Sequence, residues 1–171
     1  MISPEDVHRC ARLGIILSFQ PSWVVYWPKT WERRLGPERA RRMMPLKSAV
    51  REGVTVILNG DDGPGDPLGE VKLAVLGSLS GRPPAVWDAR ERLTVRDAIR
   101  AVTYNAAAAD FEENRRGSLR KGHLGDLVVL STNIVEGSPA DLAQARVEAT
   151  IVGGRVVYAN PEFFWMLREG R

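Results

Sequence analysis

Val54-Thr55-Val56-Ile57-Leu58-Asn59-Gly60-Asp61-Asp62-Gly63-Pro64-Gly65-Asp66-Pro67 joins an uninterrupted apolar run to an acidic turn of glycine, proline and aspartate. An apolar run without alternation suits a strand buried on both faces, the pattern of a parallel sheet. Before it, Leu46, Ala49 and Val50 repeat at helical spacing after Pro45, and Gly53 ends that helix. After it, residues 68–79 read as helix with Val71, Ala74 and Val75 on one face. The same order occurs once earlier. Ser3 is a helix cap, Pro4 suits the first helical position, and Asp6 stands three residues after the cap. Ile2 and Val7 are placed as a hydrophobic staple, Val7, Cys10, Ala11 and Leu13 are expected inside, and Gly14 is the stop before the apolar run 15–19. Helix followed by buried strand, twice over, is the grammar of an α/β fold with a parallel sheet.

Working outward, residues 37–44 form a short Arg-rich helical stretch and residues 81–88 a Pro-rich link. Thr94, with Asp97 in the capping-box position, opens one long helix through Ala98, Ile99, Val102, Ala106 and Ala109. Near Gly117 the character changes. Residues 127–130 and 147–152 are short apolar strands, and 156–158 pairs back through Gly153-Gly154, which permits the positive φ of a tight hairpin. A boundary near Arg116 divides the chain into 1–116, helix-and-strand in character, and 117–171, antiparallel in character.

The chain has 171 residues, fewer than the ~250 of a complete (β/α)8 barrel, so it holds at most part of one. Twenty-four basic residues nearly match twenty-one acidic ones, which argues only weakly for a polyanion partner. Cys10 is the single cysteine, so no internal disulfide and no cysteine metal spacing exists; it reads as a small buried residue of a reducing compartment. No apolar run reaches the ~18 residues of a membrane span, and no signal-peptide pattern opens the chain. The expectation is a cytoplasmic protein without membrane or nucleic-acid partner.

The acidic turn is the most informative stretch for chemistry. It follows the C-terminal end of an expected buried strand, where α/β folds place active-site residues. A carboxylate there can bind a metal or take a proton from water, while the plain alternative is a solvated Gly/Pro/Asp turn. It lacks the closing glutamate of a calcium-binding EF-hand loop. His8 and His123 are far apart and belong to no ligand pair. Arg33, Arg34, Arg39, Arg41 and Arg42, with Trp23, Tyr26, Trp27 and Trp31 upstream, admit a nucleic-acid reading. A solvated helix beside packed tryptophans accounts for the same residues. Glu112 and Glu113, being adjacent, do not face one another and read as solvated. No phosphate loop, dinucleotide fingerprint or serine nucleophile elbow is present.

Several segments, taken in order, resemble amidohydrolase family 3, the group of N-substituted formamide deformylase-like metal-dependent hydrolases. They are Leu13-Gly14-Ile15 through Gln20-Pro21-Ser22, Leu35-Gly36-Pro37-Glu38-Arg39, and Gly60-Asp61-Asp62-Gly63-Pro64. Thr103-Tyr104-Asn105-Ala106-Ala107, Gly122-His123-Leu124-Gly125-Asp126-Leu127 and Thr150-Ile151-Val152-Gly153-Gly154 continue the likeness to the closing hairpin.

The resemblance implies a fold and a chemistry. The fold is the C-terminal part of a (β/α)8 amidohydrolase barrel (1–116), then strands of a small β-sandwich (117–171) that family members build as a composite domain from both chain ends. The chemistry is hydrolysis of non-peptide C–N bonds in small amides or formamides, with zinc or a similar divalent metal. The family's metal-site carboxylate, also its catalytic base, falls on Asp62, with Asp61 the alternative. Trp23 stands where many members carry histidine. The family's HxH pair and middle-barrel ligands would precede Met1, so the expectation is a fragment inactive alone that works with an N-terminal half or as a homo-oligomer. The alternative is a non-catalytic interaction module retaining the fold's tail.

Overall fold

The computed structural model describes residues 1–61, 66–78 and 87–163. Ser3 Oγ accepts the Asp6 amide at 3.1 Å and opens helix α1 (Pro4–Leu13), which Gly14 closes at φ 65°. Val7 is buried on it, but Leu13, expected inside, is 62% exposed. The helix turns Leu13 away from the face that packs on α5 (Leu46–Arg51). Between them the chain forms strand β1 (Leu17–Phe19) and three short helices, α2 (Pro21–Tyr26), α3 (Pro28–Leu35) and α4 (Pro37–Arg41). Each of these three begins at a proline, whose missing N–H and fixed φ suit a first helical turn.

Strand β2 (Val56–Leu58) pairs with β1 in parallel, Leu17 opposite Val56 and Phe19 opposite Leu58. The α/β reading holds, with shorter strands than the apolar runs suggested. Phe19, Val56 and Leu58 are buried, yet Ser18 on the opposite face is exposed and Ile15 is 45% exposed. These strands are therefore covered on one face rather than both. Among the described residues the parallel sheet has two strands, and no closed barrel forms.

Helix α6 (Pro67–Leu76) follows and packs against α2, β2, α7 (Val95–Val102) and α9 (Pro139–Gln144). Its Leu73, with Leu46, Val24 and Val25, is among the most deeply buried side chains of one continuous apolar core. The helix expected from Thr94 to Ala109 is divided. Thr103 takes φ −121° and ψ −92°, ending α7, and α8 (Tyr104–Ala109) starts anew. The Thr103 hydroxyl donates to the Ile99 carbonyl at 2.7 Å, the local competition that threonine offers inside helices.

The break aims Asn105 at the open side of β2. Leu17 N–H donates to Thr55 O and Asn59 N–H to Phe19 O, so the alternate residue Val56 turns its carbonyl away from β1. Asn105 Nδ2 donates to that carbonyl at 2.8 Å, where a further strand would otherwise pair. Asn105→Ala is expected to destabilise the chain by ~1–3 kcal/mol, the cost of leaving a part-buried carbonyl unsatisfied. A denaturant midpoint unchanged from wild type would rule this out.

Beyond residue 117, β3 (Leu127–Leu130), β4 (Val147–Val152) and β5 (Arg155–Ala159) form an antiparallel sheet in the order β3-β4-β5. Gly153 and Gly154, at φ 56° and 74°, make the anticipated tight turn. Helix α9, which the sequence pattern did not announce, carries a full capping box between Ser138 and Asp141. Its Leu142 enters the core, and Lys72 Nζ of α6 reaches the Ala145 carbonyl just beyond it at 2.7 Å. Apolar side chains stay open on both faces of the sheet: Val128, Val156, Val157 and Tyr158 are each more than half exposed. No helix among the described residues is long and apolar enough to cross a membrane.

Candidate active site

The C-terminal ends of β1 and β2 lie side by side, and the residues just after them form a polar network. Asn59 is its centre. Its backbone N–H donates to Phe19 O at 3.1 Å, continuing the ladder by one residue. Its side-chain Oδ1 accepts from Gln20 Nε2 at 3.2 Å and from the Asp61 backbone N–H at 3.0 Å. Its Nδ2 donates to Ser18 Oγ. One carboxamide thus ties the end of β1, the turn after β1 and the start of the acidic segment.

Asp61 has φ 47°, a left-handed conformation in which aspartate is tolerated because its short side chain bonds locally. The bond from its amide to Asn59 Oδ1 is the Asx turn that holds it there. Its carboxylate is exposed and has no hydrogen-bond partner among the described residues. Asp62 lies outside the described residues.

Downstream of the acidic segment, Glu70 sits in the first turn of α6, only 4% exposed. Its Oε2 accepts the backbone N–H of Ser22, in the first turn of α2, at 3.2 Å. Burial raises the Glu70 pKa above its ordinary value of 4.5, interactions with Ser22 pull it partly back, and the nearby Asp66 charge adds to the rise. The Ser22 hydroxyl is buried without a well-formed hydrogen bond of its own among the described residues.

A carboxyl whose pKa is raised by folding favours the folded chain while protonated. That contribution is complete below the ordinary value of 4.5 and is lost as pH rises through the folded value. Glu70→Gln keeps an acceptor for the Ser22 amide but cannot ionise. Wild type is expected to lose melting temperature relative to Glu70→Gln as pH rises above 4.5. A difference that stays flat, or that narrows with rising pH, would contradict this account.

The aromatic residues border the same turn. Trp23 and Trp27 have ring centroids 4.8 Å apart in a tilted arrangement, and Trp27 is 48% exposed. Trp31 packs on the core and donates from Nε1 to Trp23 O at 3.0 Å. Arg33, Arg34, Arg39, Arg41 and Arg42 all face solvent. The histidines are engaged apart from one another: His8 Nδ1 lies 3.1 Å from Glu52 Oε2, and His123 Nδ1 lies 3.1 Å from Ser118 Oγ. Glu112 pairs with Arg115 at 2.8 Å. Glu113, expected to be solvated, instead has Oε2 buried without a hydrogen-bond partner among the described residues.

Among the described residues no three His, Cys, Asp or Glu side chains gather where they could hold a metal ion. Zinc takes three or four ligands at ~2.0–2.3 Å, so the single exposed carboxylate of Asp61 does not make a site for it. Sequence reasoning found the acidic segment but missed Asn59, Gln20, Ser18 and Glu70. The position of Asn59, directly between strand and acidic turn, was the one available signal; Glu70 becomes visible only through its burial.

Comparison with known proteins defines the family to which this fold and strand-end network belong. The family model described as the amidohydrolase family matches residues 1–158, and the chain belongs to that family, in its family 3 group. It is 34% identical over 164 residues to Protein LONG AFTER FAR-RED 3 of Arabidopsis thaliana, covering 92% of this chain and 27% of that protein. It is 28% identical over 153 residues to N-substituted formamide deformylase of Arthrobacter pascens, covering 88% of this chain and 28% of that one. Among solved structures, an adenosine deaminase from Xanthomonas campestris with bound zinc superposes with a TM-score of 0.62 at 17% identity. That superposition covers 99% of this chain and 39% of the deaminase, and it speaks to fold alone. The chain spans under a third of the length of the two curated relatives.

Proposed function

We propose that this chain forms the C-terminal part of a metal-dependent amidohydrolase acting on non-peptide C–N bonds of small amides or formamides. The observation that carries the reading is the place of the acidic segment. In a chain of this family, Asp61 follows the end of β2, beside the end of β1, with its backbone already tied to Asn59. Asp62, the next residue, is the proposed site carboxylate and metal contact, and Asp61 is the alternative.

Residues 1–116 are then the barrel portion and 117–171 the sandwich portion. The change from parallel to antiparallel pairing supports this division. The partner that completes the site is an N-terminal half or a second copy of this chain, and zinc or a similar divalent ion belongs to the completed site. The outer edge of β1, without a strand partner among the described residues, and the exposed apolar residues of β3 and β5 are surfaces that such a partner would cover. The chain's own part in the reaction is to hold a carboxylate where it can accept the proton of an attacking water.

The test is co-expression with an N-terminal half from a family relative that carries the HxH pair and middle-barrel ligands. Amide or formamide hydrolysis by the complex, and by neither half alone, supports the reading. A stable complex without hydrolysis favours the non-catalytic module.

A further inference from the structure

Asn59, at the start of the acidic segment, and Glu70, in α6 downstream of it, each bond to one end of the stretch Gln20-Pro21-Ser22. At one end Asn59 Oδ1 accepts from Gln20 Nε2 at 3.2 Å and holds the Asp61 amide at 3.0 Å. At the other end the buried carboxylate of Glu70 accepts from Ser22 N–H at 3.2 Å. Between Gln20 and Ser22 stands Pro21, itself almost fully buried, whose ring restricts the backbone joining the two anchors. Gln20-Pro21-Ser22 is therefore a stiff strut, with one bond at each end, leading to Asn59 before the acidic segment and to Glu70 of α6 after it.

We propose that Asn59 and Glu70 are a pair of positioning residues that act through this strut, so that the Asp61 backbone, the start of α6 and the start of α2 hold or release together. Neither residue is a reacting group in the proposed chemistry, since Asn59 has its carboxamide committed to three partners and Glu70 is buried against α2. That the clamp serves a site carboxylate rests on the hydrolase reading. The clamp itself does not, and its test requires no activity.

Amide hydrogen exchange on this chain reads the coupling directly, because the Asp61 and Ser22 amides each report one anchor. Asn59→Ala is expected to speed exchange about tenfold at Ser22 as well as at Asp61, and Glu70→Ala to do the same at Asp61 as well as at Ser22. The acceptor-preserving Asn59→Asp and Glu70→Gln should keep both amides protected. Val7→Ala, in α1 away from the strut, serves as a control for general loss of stability. It should speed neither amide under conditions where its melting temperature falls as far as theirs. Gln20→Ala carries the test if an alanine variant at either anchor fails to fold: removal of the link should speed both amides. The proposal is overturned if each anchor variant releases only its own amide, if Val7→Ala releases both equally, or if Gln20→Ala leaves both unchanged.

Discussion

Asp62→Asn, in a hydrolase reconstituted from this chain and an N-terminal half, is expected to lower turnover about 10²–10⁴-fold, the scale of losing a general base. Asparagine preserves the shape of the side chain but cannot accept the proton. The variant should therefore still assemble with the N-terminal half, and the loss should fall on turnover rather than on complex formation. Asp61→Asn separates the two candidate carboxylates. The Asp61 backbone is held by Asn59 through the amide, not through the carboxylate, so this substitution leaves the Asx turn intact. If hydrolysis survives Asp62→Asn and disappears in Asp61→Asn, the site carboxylate is one residue earlier than proposed. Full hydrolysis in both variants would remove the acidic segment from the mechanism.

The second large effect concerns the core. Leu73 is 1% exposed on α6, the helix that touches α2, α7, α9 and β2 and so joins the parallel and antiparallel portions. Leu73→Ala is expected to destabilise the chain by ~2–5 kcal/mol, combining lost transfer energy with a cavity that surrounding helices cannot close. Leu119→Ala is the matching control: the same deletion at a side chain 77% exposed should change stability by no more than ~0.5 kcal/mol. Comparable losses in the two variants would mean that α6 is not the shared core element described above. Because α6 also carries Glu70, damage at Leu73 should loosen the Ser22 anchor, whereas Leu119→Ala should not.

These results depend on how α6 and the strand ends are held, and the two were unequally legible in sequence. The acidic segment stood out because glycine, proline and aspartate after an apolar run each favour a turn, glycine by tolerating positive φ, proline by fixing φ and aspartate by bonding its own backbone. Asn59 did not stand out, since one asparagine near a turn is ordinary; its three simultaneous partners come from β1, from the turn after β1 and from residue 61. Glu70 was read only as part of a helix. A carboxylate in a helical first turn is usually solvated, and here the neighbouring helix start supplies an amide that replaces water.

What the sequence determined by itself is local. The cap at Ser3, the left-handed stop at Gly14, the capping of α7 by Thr94 and the Gly153-Gly154 hairpin all follow from short-range sterics and hydrogen bonding. The ordered set of family motifs likewise needed no coordinates. Only the tertiary structure decided the rest: Leu13 turned outward, β1 and β2 covered on one face, the helix broken at Thr103, and Glu113 partly buried. Capping and turn formation involve neighbours in the chain, so residue type suffices to read them. Burial and pairing depend on which distant surface arrives. Asn105 meeting Val56 from 49 residues away is a contact that no local pattern encodes.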